Sequence, residues 1–250
     1  LLDWAEAHKG DRKYVAFADK CWPAFPEQFG FEPCFVNSRL AARGIPVSCE
    51  VDIYGALSEY IGACITGDAV TLLDINNSVP QYIYNEDIAG KFDYKLTDTF
   101  MGFHCGNTPS CKLCENHGVK YQLIQHRLLE PAGSEPDFTR GTLEGDIAPS
   151  DITFYRLQCD SEGTLRAYVA QGEVLPVATR SFGGIGIFAI PEMGRFYRHV
   201  LIQKRYPHHG AVAFAHCGKA LFEVLKYFGV SDIAYNQPKS LPYPTENPFA

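Results

Sequence analysis

Three of the chain's eight histidines, His208, His209 and His216, crowd into RYPHHGAVAFAH at 205–216. A neutral imidazole is a common ligand for divalent ions. Two acids sit where apolar runs end: Glu50 closes IPVSCE, and Asp74 lies in TLLDINN. A carboxylate there is costly unless it is paired, hydrogen-bonded or bound to a cation. Two carboxylates with one imidazole suit Mn²⁺, or Mg²⁺ or Co²⁺, better than a thiolate-seeking ion. Taken singly, each acid reads more readily as a surface or capping group than as a ligand, and His208 and His209 as loop histidines. A louder set is HCGNTPSCKLCENH at 104–117, where His104, Cys105, Cys111, Cys114 and His117 could give a structural Zn²⁺ its four tetrahedral ligands. The spacing is cramped for that, and a loop of buried thiols is the competing reading.

These residues need elements to hold them. The opening LLDWAEAHKG reads as the last turns of a helix, and with Leu rather than Met at the start the chain reads as a fragment of a longer protein. KYVAFADK (13–20) reads as a strand, PCFVNSRLAARG (33–44) as a helix ending at glycine, IPVSCE (45–50) as a strand and DIYGALSEYIGACITG (52–67) as a second helix. That alternation predicts the end of a parallel, Rossmann-like α/β domain over 1–67, with Glu50 at the strand end where such sheets bind ligands. From 68 to 250 the chain predicts a β-rich, antiparallel, barrel-like C-terminal domain. Its opening strand is DAVTLLDINN, and turn-punctuated strands fill 138–175 with DSEG as a hairpin turn. Helices are expected over 191–206 and 218–229, with the histidine stretch mostly a strand between them and a proline-rich tail on the surface.

Bulk properties remove several classes. The net charge of −7 lacks the basic face of a nucleic-acid binder. No apolar run is long enough for a membrane span, and no secretory signal is visible. Nine scattered cysteines read as reduced thiols of a cytoplasmic protein, not as a disulfide framework. FGGIGIF (182–188) is a weak dinucleotide fingerprint without its downstream acid, and there is no nucleophile elbow and no phosphate-cradling Gly-Lys-Ser loop.

Three stretches carry a resemblance in order along the chain. KCWPAFPEQFGFEPCFVNSRLAARGIPVSCEVDIYGAL (20–57), TRGTLEGDIAPSDITFYRLQ (139–158) and FYRHVLIQKRYPHHGAVAFAH (196–216) resemble the L-fucose isomerase and L-arabinose isomerase-like family. The resemblance implies a sugar aldose–ketose isomerase working through a cis-enediol. It implies a divalent cation, usually Mn²⁺, on Glu50, Asp74 and His209, with the two carboxylates also moving protons. It further implies His104 and Trp22 as sugar-facing side chains and a homo-oligomer in the full-length protein; His216, at the end of the apolar strand, reads from its own surroundings as a core or supporting histidine. The alternatives are a non-catalytic binding or assembly module with zinc in the 105–117 loop, and a metal-dependent aldolase.

Overall fold

The structure, a computed structural model, describes residues 1–121, 131–135, 137 and 142–247. Chain order begins α1 (Leu2–His8), β1 (Phe17–Ala18), α2 (Ala24–Phe29), α3 (Cys34–Ala41), β2 (Val47–Ser48) and α4 (Ile53–Thr66). The expected alternation is there, but its strands are short. β1 and β2 pair in parallel over Phe17–Val47 and Ala18–Ser48 alone. Pro46 has no N–H to extend the ladder, and beyond Ser48 the backbone turns through positive φ at Glu50 and Val51.

The helix expected over 52–67 is α4. Asp52 caps it by accepting from the Gly55 N–H at 2.7 Å, and Gly67 ends it in the left-handed conformation. Its buried face is Gly55, Ala56, Ser58, Glu59, Gly62 and Ala63. Small residues there let α4 settle closely on β3, β7 and β10 of the large sheet.

That sheet is built from β3 (Val70–Asn77), β4 (Thr99–His104), β5 (Gly118–Lys120), β6 (Thr142–Asp146), β7 (Ser150–Cys159), β8 (Leu165–Val174), β9 (Gly184–Ala189), β10 (His209–Ala213) and β11 (Asp232–Tyr235). Its spatial order is β11-β8-β7-β10-β3-β4-β9-β6-β5. All pairings are antiparallel except β11–β8 and β6–β9. The barrel-like expectation holds in part: the sheet curls until β8 meets β9, but over only Glu173–Ala189 and Val174–Phe188, short of a fully closed barrel. The DSEG turn joins β7 to β8, with Asp160 Oδ1 accepting from the N–H groups of Glu162 and Thr164, both at 2.9 Å. Residues 138–141 of the expected strand run lie outside the described residues.

Both late helices form. One, α5 (Met193–Phe196), runs on as wider turns over Tyr197–Ile202, and the other is α6 (Gly218–Tyr227). An aromatic stack of Phe100, Phe154, Tyr168, Phe188 and Phe196 fills the main core. No helix among the described residues is long and apolar enough to cross a membrane.

Candidate functional site

β10 lies antiparallel to β3, and the register sets His209 directly opposite Asp74. β4 runs along the other side of β3, with Phe103 opposite Asp74 and His104 next. Three neighbouring strands therefore deliver Asp74, His209 and His104 to one end of the sheet, and a ligand atom from each lies within 4.8 Å of the other two. Gly210 makes the close seating of β10 possible, because a Cβ there would fall 2.1 Å from the Phe154 ring.

Glu50 arrives from the other part of the chain, in the left-handed turn after β2 with φ 62°, followed by Val51 at 57°. Two consecutive non-glycine residues in this region cost about 1–2 kcal/mol each. The turn is held by the Val51 N–H donating to the Asp19 carbonyl at 2.8 Å. Glu50 Oε2 lies 3.6 Å from His209 Nε2, and Asp74 Oδ1 lies 3.0 Å from the same nitrogen. The three residues expected to share a cation thus meet at one imidazole edge. Glu50 and Asp74 fall in two overlapping donor groups that share His209, the first also containing His208. His208 is largely exposed, with Nε2 3.4 Å from Asp74 Oδ1.

The other edge of His209 is fixed. Its Nδ1–H donates to Asp52 Oδ2 at 2.9 Å, since an ionised carboxylate only accepts. Asp52 is gripped in turn by Arg156, whose two terminal nitrogens donate to its two oxygens at 2.7 and 2.8 Å. Arg156 also donates to the His209 carbonyl at 3.2 Å. Burial works against the charge on Asp52, but the bonds from His209 and Arg156 outweigh it and hold the carboxyl well below its usual range. For His209, burial disfavours the charged ring, yet Asp52 and Asp74 raise its pKa to about 9. Under the site, Glu59 is fully buried and accepts from the Ser48 hydroxyl; burial pushes its pKa up to about 8, so it stays protonated at neutral pH.

Sequence reading missed Asp52 and Arg156. Asp52 was visible only as the start of a helix, and its second task depends on a partner over a hundred residues later.

Asp74 Oδ1 and His209 Nε2 are buried facing each other at 3.0 Å, while His104 Nε2 is buried without a hydrogen bond. A buried polar atom left so costs about 1–3 kcal/mol. Carboxylate and imidazole lone pairs gathered at one point fit a divalent cation of the Mn²⁺ or Mg²⁺ kind. The second-edge carboxylate on His209 is the usual means of orienting such a ligand. For His104, the Cys105 N–H donates to Nδ1 at 3.0 Å. In the neutral ring the proton then sits on Nε2, which suits a donor to a bound oxygen better than a metal ligand.

Trp22 is about one-third exposed and makes no hydrogen bond or ring contact among the described residues. The 105–117 loop does not assemble its donors. Cys111 is exposed, His117 Nδ1 turns to the Cys114 carbonyl at 2.7 Å, and neither cysteine nor His117 joins a metal-competent group among the described residues. Cys105 instead faces Cys34, with the sulfurs 4.0 Å apart. His216 binds the Gly172 carbonyl at 3.0 Å, a structural contact.

A curled antiparallel sheet carrying a carboxylate–imidazole cluster at one end defines the class. Residues 102–235, more than half of the chain, match the family described as L-fucose isomerase, C-terminal domain, and the chain belongs to that family. It is also similar to three proteins named sulfoquinovose isomerase. That of Clostridium sp. (strain MSTE9) is 26% identical over 185 residues, covering 71% of this chain and 34% of that protein. That of Alkalicoccus urumqiensis is 24% identical over 233 residues, covering 88% and 45%. That of Priestia aryabhattai is 29% identical over 178 residues, covering 62% and 39%. The chain thus spans less than half the length of these relatives.

Proposed function

We propose that this chain is the C-terminal part of a metal-dependent sugar aldose–ketose isomerase acting through a cis-enediol. The observation that carries the reading is the meeting of the Glu50 and Asp74 carboxylates at Nε2 of His209, with the ring's far side locked by Asp52 and Arg156. Glu50, Asp74 and His209 would hold the cation, Mn²⁺ or else Mg²⁺ or Co²⁺, which when bound supplies Lewis acidity to adjacent sugar oxygens.

The chain's own groups would do the rest. A carboxylate that coordinates through one oxygen keeps the other for proton work, so one acid takes the proton from C2 of the open-chain aldose and the second returns a proton to C1, while the hydroxyl proton passes from O2 to O1. Glu50, 57% exposed on its side chain, is open to a substrate; Asp74, at 20%, is recessed. His104 Nε2–H would donate to a sugar hydroxyl or to the enediol, and Trp22 would face the ring at the rim. The protonated Glu59 keeps a further negative charge away from the cluster.

The relatives' name puts sulfoquinovose beside L-fucose and L-arabinose as the sugars to assay. The same reading takes residues 1–67 as the end of a parallel α/β domain and 68–250 as the isomerase domain, with α4 packed between them. It also takes the full-length protein as a cytoplasmic homo-oligomer; nine free cysteines accord with a reducing compartment.

The test is ketose formation by the Mn²⁺-loaded full-length protein with these three aldoses. Glu50→Gln and Asp74→Asn should each abolish turnover while circular dichroism stays unchanged. Turnover retained in either variant removes that residue from the mechanism. Products of carbon–carbon cleavage would mean an aldolase, and binding without conversion a non-catalytic module.

A further inference from the structure

A second donor group lies beyond the carboxyl ends of the parallel pair β1–β2. Asp19 follows β1, Cys21 comes two residues later, and Cys49 follows β2. A ligand atom from each lies within 4.8 Å of the other two. Cys21 and Cys49 are 6% and 0% exposed. Asp19 is oriented by Asn37 of α3, itself buried, whose side-chain amide donates to Oδ2 at 2.7 Å. Its other oxygen, Oδ1, is buried with no hydrogen bond. A carboxylate anchored on one side and bare on the other, facing two buried thiols, is a costly arrangement for an empty interior.

We propose that Asp19, Cys21 and Cys49 form a second cation site, separate from the Glu50–Asp74–His209 cluster and suited to Zn²⁺. Two thiolates and one carboxylate are a soft-to-borderline donor set, which favours zinc over the hard ions that fit the first cluster. Binding would release the two thiol protons to solvent. The site's use is mechanical. Cys49 immediately precedes the left-handed Glu50–Val51 turn, and the Asp19 carbonyl accepts the Val51 N–H. An ion joining Asp19, Cys21 and Cys49 would clamp both sides of the turn that presents Glu50. This proposal does not rest on the isomerase reading, and its test reads no turnover.

The experiment is X-ray absorption at the zinc edge on full-length protein saturated with Mn²⁺ and then given one equivalent of Zn²⁺. The expected zinc shell has two sulfur neighbours at about 2.3 Å with oxygen completing it. A shell of nitrogen and oxygen alone overturns the site. Cobalt substitution supplies the second arm. The near-ultraviolet thiolate-to-cobalt charge-transfer band should weaken in Cys21→Ser and in Cys49→Ser, vanish in the double variant Cys21→Ser/Cys49→Ser, and persist in Asp74→Asn and in Cys111→Ser/Cys114→Ser. A band that survives Cys21→Ser/Cys49→Ser, or disappears with Cys111→Ser/Cys114→Ser, overturns it as well. If the serine variants at 21 and 49 do not fold, the wild-type sulfur shell together with the intact band of the 111/114 variant decides the matter.

Discussion

Asp52 does two jobs with one carboxylate. It caps α4, and it fixes the tautomer and tilt of His209 while Arg156 neutralises it. Asp52→Asn keeps the shape and removes the charge. Loss of such an orienting partner typically weakens metal binding by about 10- to 100-fold. The expected result is a Mn²⁺ affinity lowered by that order in titration calorimetry, together with a loss of stability, because the change also leaves Arg156 a buried cation without its carboxylate. Arg156→Met is the opposite case. It strands Asp52 as a buried, half-compensated anion, and breaking a buried pair from one side costs about 3–5 kcal/mol. Denaturant unfolding should show destabilisation of that order, since the pair's side chains are only 5% and 12% exposed. The separate residues were legible early. Glu50 and Asp74 stood out as acids at apolar strand ends, and the resemblance singled out His209 over His208. The Asp52–Arg156 support was not, because a helix-capping aspartate and a strand arginine carry no local mark of each other.

At the level of elements, β10 illustrates what a sequence pattern can and cannot convey. The AVA of AVAFA is a buried strand as read, while Phe214 and Ala215 fall in a bend beyond it, and the helices around it were placed to within a few residues. The α/β segment was less readable: its strands were expected to be six to eight residues long, but Pro46 and the turn at Glu50 cut the paired length to two. Sheet closure was not readable at all, because it depends on how far β8 and β9 overlap. The glycine after His209 has a definite reason. Gly210→Val would drive side-chain atoms into Phe154 and the Tyr168 hydroxyl, which lie 2.1 and 2.7 Å from the position of a Cβ. Overpacking of this kind costs about 1–3 kcal/mol, occasionally more. Thermal unfolding should show that loss, and Mn²⁺ affinity should fall with it because the same displacement moves His209. A variant that melts early but keeps full affinity would show that the strand adjusts away from the site.

On the scale of the whole molecule, the C-terminal tail is tied back by charge. Glu246 receives two bonds from Arg195, at 2.6 and 2.7 Å, and the Tyr243 N–H at 3.0 Å. These bonds lower its pKa from 4.5 to about 2. A depressed carboxyl contributes above its unfolded pKa and loses that contribution as pH falls through the folded one. Tail docking should therefore be intact at neutral pH and weaken between pH 4.5 and about 2. Hydrogen exchange at residues 237–246 should rise across that window, and in Glu246→Gln it should be high already at pH 7. The sequence placed this tail on the surface from its prolines; the arginine that holds it lies in a helix some fifty residues earlier and could not be chosen from among the chain's other cations.

The pairing of His209 with Asp74 across β10 and β3 carries one more consequence. Side chains alternate along a strand, so sliding β10 by a single residue would send His209 to the opposite face. There is no half-correct version of the cluster. If the cluster holds a cation as proposed, a mis-threaded molecule would be unable to keep one, and tight manganese retention after refolding would serve as an internal proof of strand alignment, sorting faithful copies from counterfeit ones.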